Sequence, residues 1–248
     1  MIVSQPVRYN EDSKPLSPTG SIAQRESTVK ALYDRLDRYK FVLVRNLVSC
    51  AQTCSKPSSQ VRGTPASGKS TLAQLLYKHI LNKGVTPILI SQWRNRGEKG
   101  EWYDFLWDGY DPKDPQVIIL DEAQLTYWDT TFWNNSLKMI KPKSIHCVIL
   151  FASYGSPNGR VSVEGTTMII PGRQHVALRP IDHGDGIASS GLFLTEEEFA
   201  DMVQKGSPGR FASNFLAFVL SVTAGHPGAV EDLLQIVLAH DVSFCMEL

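Results

Sequence analysis

Eight consecutive residues restrict this chain's fold more than any others. Gly63-Thr64-Pro65-Ala66-Ser67-Gly68-Lys69-Ser70 satisfies G-x-x-x-x-G-K-[ST], and the helix-forming run KSTLAQLLYKHILN follows from Lys69 to Asn82. At ordinary residue frequencies a chance match in a chain of this length has odds of about one in a hundred. A loop that wraps polyphosphate must turn successive backbone N–H groups inward. It needs glycine wherever a Cβ would collide or φ must be positive. The start of the following helix adds unpaired N–H donors and a favourable dipole. The pattern predicts that Gly63 to Ser70, with Thr71 in the first helical turn, surround a triphosphate. Lys69 would reach the β- and γ-phosphates, and the Ser70 hydroxyl would ligate Mg²⁺.

A second motif supplies the expected partners. Val117-Ile-Ile-Leu-Asp121-Glu122 is an apolar strand ending in two carboxylates. Asp121 would hold the magnesium ion, directly or through water, and Glu122 would be the general base or the group that positions the attacking water. Ser153, at the tip of the strand HCVILFAS (His146–Ser153), is a candidate to sense the γ-phosphate; an ordinary strand-end turn is the plainer alternative. Lys69, Glu122 and Ser153 are therefore the expected catalytic residues. Gln124 could touch the same water as Glu122. In Thr223-Ala-Gly-His226-Pro-Gly228 a glycine-proline turn opens the last helix, which could bring His226 to the phosphates; a simple turn residue is the alternative. Arg160 and Arg173 are candidates for stabilising charge, in cis or in trans.

Apolar runs alternate with helical patterns through most of the chain. Strands are expected at Phe41–Arg45, Pro87–Ser91, Val117–Ala123, His146–Ser153 and His175–Arg179. Helices are expected at Ile22–Tyr39, Lys69–Asn82, Glu101–Trp107 and Thr131–Ile140. Continuous apolar strands separated by helices indicate an α/β fold, a three-layer sandwich with a parallel sheet covered on both faces. After about residue 190 the strand signal stops. Thr195 with Glu198 forms a capping-box pattern opening a helix to Gln204, and Phe211–Thr223 and Gly228–His240 are apolar at helical spacing. The reading is a flexible segment 1–21, a nucleotide-binding core 22–190 and a small helical lid 191–248.

Composition excludes several classes. Lys+Arg and Asp+Glu balance at 25 each, so no global basic field marks a nucleic-acid footprint. Short basic stretches around Arg94 and Lys141 read as solvated faces. No apolar run approaches the roughly 20 residues of a membrane helix. The first 20 residues lack a signal-peptide layout, and four cysteines without zinc spacing read as reduced thiols, which together indicate an intracellular setting.

Taken together, RGTPASGKSTLAQLL, IILDEAQLTYWDTTFWNNSLK, VILFASYGSP, LFLTEEEF and TAGHPGAVEDLL resemble the NTPase domain of the Crinkler-type proteins of fungi and oomycetes, which are related to AAA+ and STAND ATPases. The resemblance spans roughly residues 22–240. It implies an ATPase core with a helical lid, ATP and Mg²⁺ as ligands, and preference for ATP over GTP, since no Asn-Lys-x-Asp motif is present. Family members often carry a nuclease-like or kinase-like domain after the NTPase and a secretion module before it; neither is read here. The resemblance leaves room for self-association and for delivery to a host cell.

One departure from the pattern stands out. In P-loop proteins the first strand runs almost directly into the glycine loop. Here FVLVR is followed by NLVSCAQTCSKPSSQVR, so that Val-Arg recurs at Val44-Arg45 and Val61-Arg62. Residues 46–62 are read as an insertion, with a retained intron as one origin. Either FVLVR stays the central strand and the insertion loops out, or Gln60–Gly63 replaces it. The leading functional expectation is an ATPase that acts as a conformational switch. A P-loop small-molecule kinase and a nucleotide-binding module with little hydrolysis are the alternatives.

Overall fold

The computed structural model describes residues 23–45, 66–91, 116–127, 129, 132–133, 137–153 and 170–240. The expected flexible segment 1–21, the whole of the expected insertion 46–62 and the expected helix Glu101–Trp107 lie outside them. Arg45 ends the first strand, so FVLVR itself is the strand that precedes the insertion.

The chain enters through helix α1 (Glu26–Tyr39), which buries Val29, Leu32 and Leu36 on one stripe. Lys40 turns the chain in the left-handed region (φ 61°), and strand β1 (Phe41–Arg45) begins at once. Helix α2 (Lys69–Asn82) leads to the short strand β2 (Ile88–Ile90). Strands β3 (Val117–Leu120), β4 (Cys147–Ala152) and β5 (His175–Val176) complete a five-stranded sheet in the order β2-β3-β4-β1-β5. Every pairing is parallel. This is an α/β fold.

Alternate residues of each strand point to opposite faces, and both faces are apolar. Val42, Val44, Ile149 and Phe151 pack against Leu32 and Leu36 of α1 and Leu72, Leu76 and Ile80 of α2. Phe41, Leu43, Val148, Leu150, Ile118 and Leu120 pack on the other side against Phe132, Trp133 and Leu137. Of the helix expected over Thr131–Ile140, the described residues include the 3-10 helix Leu137–Met139. The strand expected over His175–Arg179 is shorter than read. Beyond Val176 the carbonyls of Ala177 and Leu178 accept from the N–H groups of Leu192 and Phe193, so that edge is covered by a returning segment.

After Leu194 the described chain is helical: α3 (Glu196–Gly206), α4 (Ser213–Thr223) and α5 (Pro227–Ala239). Thr195 and Glu198 make the expected capping box, with both reciprocal hydrogen bonds formed. Leu194, Phe199, Met202, Val203, Val219, Val230 and Leu234 share one cluster, which Ala23 joins from the segment before α1. Among the described residues no helix is long and apolar enough to cross a membrane. Cys147 is a buried free thiol.

Candidate functional site

Parallel pairing brings the carboxyl ends of β1, β4 and β3 side by side, and the order of connection changes direction there. Ligand crevices in open parallel sheets form at such points. Gly63, Thr64 and Pro65 lie outside the described residues; Ala66 to Thr71 are described. Ala66 (φ 60°) and Gly68 (φ 79°) are left-handed, which brings the backbone round into the first turn of α2. Gly68 is the N-cap, and it supplies no side-chain partner for the N–H groups at the helix start.

The Lys69 side chain folds back along this loop. Its Nζ donates to Ser67 Oγ at 3.0 Å, and the residue is only 6% exposed. Burial lowers the ammonium's pKa, while the charges of Glu122 and Asp121 act to raise it again. Those carboxylates come from the end of β3, about fifty positions further along the chain. Asp121 is itself 4% exposed. Burial raises its pKa, and a hydrogen bond from the Ser70 hydroxyl opposes that shift. Asp121 Oδ1 also accepts the Glu122 N–H at 3.0 Å. Lys69, Ser70, Asp121 and Glu122 therefore meet at the N-terminus of α2.

A magnesium ion fits the two oxygens that this geometry joins. A hydroxyl and a carboxylate in hydrogen-bond contact are hard donors, and Mg²⁺ at phosphate sites takes one or two protein ligands, with waters and phosphate oxygens completing the shell. Among the described residues no cluster of three or more His, Cys, Asp or Glu forms an all-protein metal cage.

Glu122 lies in the left-handed region (φ 53°) and caps the 3-10 helix Ala123–Thr126. Its Oε2 accepts from Ser153 Oγ at 3.3 Å and from Gln124 Nε2. Ser153 thus meets Glu122 at the tip of β4.

His226 is the N-cap of α5: Nδ1 accepts the Ala229 N–H at 3.2 Å, and the ring stacks edge-on against Phe193. This is the turn role weighed for it, with a neighbour that matters. The Gly228 N–H donates to Ala66 O at 3.0 Å, and a Cβ on Gly228 would lie 2.4 Å from Ala66 Cβ. Pro227 faces Gly68 in the same way. The first turn of α5 thus rests directly on the glycine-rich loop.

The arginine candidates divide differently. Arg173 lies in the 3-10 helix Gly172–Gln174 just before β5, at the amino end of that parallel strand and so at the other end of the sheet from the carboxyl ends. That position removes it as a partner for this site within one chain. Arg160 is outside the described residues. Arg25, not singled out in the sequence, reaches the loop instead: its Nη1 is 3.9 Å from where a Gly68 Cβ would begin. Scanned against protein-family models and searched against curated proteins, the sequence matches none.

Proposed function

We propose that the chain binds Mg²⁺–ATP through Gly63–Ser70 and hydrolyses it, with α3–α5 acting as a lid on a P-loop NTPase core. The observation that carries this reading is the meeting of Ser70 with Asp121 beside buried Lys69. Residues from two separate motifs converge on one helix start, where anions are favoured. Left-handed Ala66 and Gly68 are the backbone turns that a phosphate-wrapping loop requires.

Each residue has a role in the reaction. The α2 N–H groups and Lys69 hold the β- and γ-phosphate oxygens and stabilise the charge that develops on them. Ser70 and Asp121 would hold the magnesium ion, which neutralises phosphate charge when bound. Glu122 accepts the proton of the water that attacks the γ-phosphoryl group, as the bond to the leaving diphosphate breaks. Contact of Pro227 and Gly228 with Gly68 and Ala66 gives α5 a direct means of responding to what the loop holds.

Two variants test this with a fluorescent ATP analogue and a phosphate-release assay on the purified chain. Lys69→Ala should abolish nucleotide binding. Glu122→Gln should keep binding and lower turnover by 100-fold or more, a magnitude of the order general-base loss gives. Unchanged hydrolysis in Glu122→Gln would remove Glu122 from the mechanism. Saturable binding by the parent chain without phosphate release would identify a nucleotide-gated binding module instead.

A further inference from the structure

Glu122 is held from outside its own strand, and Gln124 is central to how. The Gln124 amide donates through Nε2 to Glu122 Oε2 and accepts through Oε1 the Ser153 N–H at 2.9 Å. Ser153 Oγ adds a second contact to the same Oε2 at 3.3 Å. One side chain therefore braces the acidic end of β3 against the end of β4, using both ends of its amide. It has little freedom to do otherwise: Gln124 is 9% exposed, inside the turn Ala123–Thr126. That turn is fixed in its own right. Thr126 Oγ1 donates to Ala123 O at 2.8 Å, and the Trp133 indole N–H donates to Thr126 O at 3.1 Å.

A carboxylate on a two-bond stem rotates readily unless something holds it. A general base that rotates spends little time aimed at its water, and misplacement near 1 Å costs about 100-fold in rate. Both contacts fall on Oε2, which leaves Oε1 as the oxygen to present to a reactant. We propose that Gln124 is a positioning residue for Glu122, fixing Oε2 so that Oε1 faces the attacking water, and coupling the tips of β3 and β4. This rests on the hydrolytic reading of the same site. Gln124 acts on the base through Glu122, in place of the direct contact with water that its sequence position suggested.

The prediction is a split between turnover and affinity, because the Gln124 amide holds the base and, among the described residues, its hydrogen bonds go to Glu122 and Ser153 and not to Ala66–Ser70. In the purified full chain, Gln124→Ala should lower kcat about 10- to 100-fold, with KM and the affinity for a fluorescent ATP analogue changed less than twofold. Gln124→Glu keeps the side chain's size and its acceptor for Ser153 N–H, but it loses the donor and sets a second carboxylate against Glu122. It should lower kcat at least as far while retaining the parent's circular dichroism spectrum at the assay temperature. In a Glu122→Gln background, adding Gln124→Ala should cause no further loss. Equal kcat in parent and both single variants would overturn the proposal, as would a parallel loss of nucleotide affinity or fully multiplicative losses in the double variant. Those outcomes leave the ATPase reading standing. Absence of phosphate release from the parent chain would overturn both.

Discussion

Asp185 shows how much one carboxylate can organise. Its Oδ2 accepts from Arg35 Nη1 at 3.1 Å and from the Tyr39 hydroxyl at 2.9 Å, and its Oδ1 accepts the Ile187 N–H at 3.0 Å. The side chain is 6% exposed. Burial pushes its pKa upward; the Ile187 N–H, the Tyr39 hydroxyl and the Arg35 charge outweigh that and hold it below the ordinary 3.8. A carboxyl depressed on folding stabilises the native state above its unfolded pKa, and that contribution is lost as pH falls through the folded value. Asp185→Asn should therefore lower the urea midpoint at pH 7, and the deficit should narrow at pH 3. Equal deficits at both pH values would show that shape, and not charge, is what Asp185 contributes. The same scale separates what was legible in the candidate site from what was not. Lys69, Ser70, Asp121 and Glu122 stand in contiguous motifs whose chemistry is set by residue type. Gln124 was singled out by its place beside the Asp121-Glu122 motif, but its bond to Ser153 spans 29 positions and has no local signature, and Arg25, which meets the 191–198 region across more than 160, has none at all.

Among the elements, β1, β2 and β4 were legible to within a residue at each end because both sheet faces are buried, so each reads as an unbroken apolar run, whereas β3 was read three residues too far, into the turn that holds Asp121 and Glu122. The amphipathic stripe of α1 and the Thr195–Glu198 box of α3 were legible for the same kind of reason, a local pattern with a local cause. β5 was overread because its apolar continuation pairs with Leu192 and Phe193 outside the sheet, a non-local choice. The union of α1 with α3 is equally non-local. Arg25, itself left-handed (φ 51°), donates to Gly191 O, Leu192 O and Phe193 O and pairs with Glu198 at 3.1 Å, with both side chains about 4% exposed. Glu198 Oε1 has no hydrogen-bond partner. Removing the cation would leave a buried carboxylate with only the single capping bond from the Thr195 N–H. Arg25→Ala should cost roughly 3–5 kcal/mol of stability. Hydrogen exchange should quicken first across residues 191–206, ahead of the sheet. Uniform loss of protection over the whole chain would mean that the pair supports global stability without tying these two elements in particular.

For the molecule as a whole, the consequential contact is the one between the start of α2 and the start of α5. Ala66 and Gly68 lie just before and at the N-cap of α2, and Pro227 and Gly228 begin α5. Two helix N-termini, each a positive dipole end, therefore meet at one loop; the α5 start is already satisfied by Ala66 O and His226 Nδ1, whereas Gly68 gives the α2 start no side-chain cap. The Gly228–Ala66 hydrogen bond holds the two starts together against the repulsion of their dipole ends, and an anion at the α2 start would relieve that repulsion, which would give a bound triphosphate a physical grip on the C-terminal helices. Binding to the folded state alone also stabilises it, by about 2.7 kcal/mol at a ligand concentration 100 times Kd. The expected outcome is that saturating Mg²⁺–ATP raises the melting temperature of the parent and not of Lys69→Ala. Hydrogen exchange should change at residues 66–72 and, through the Ala66–Gly228 contact, at residues 225–232 as well. The second change decides whether the helical cluster is a lid. Protection confined to residues 66–72, with the start of α5 exchanging as it did before nucleotide, would leave a phosphate-binding core whose C-terminal helices do not respond to it.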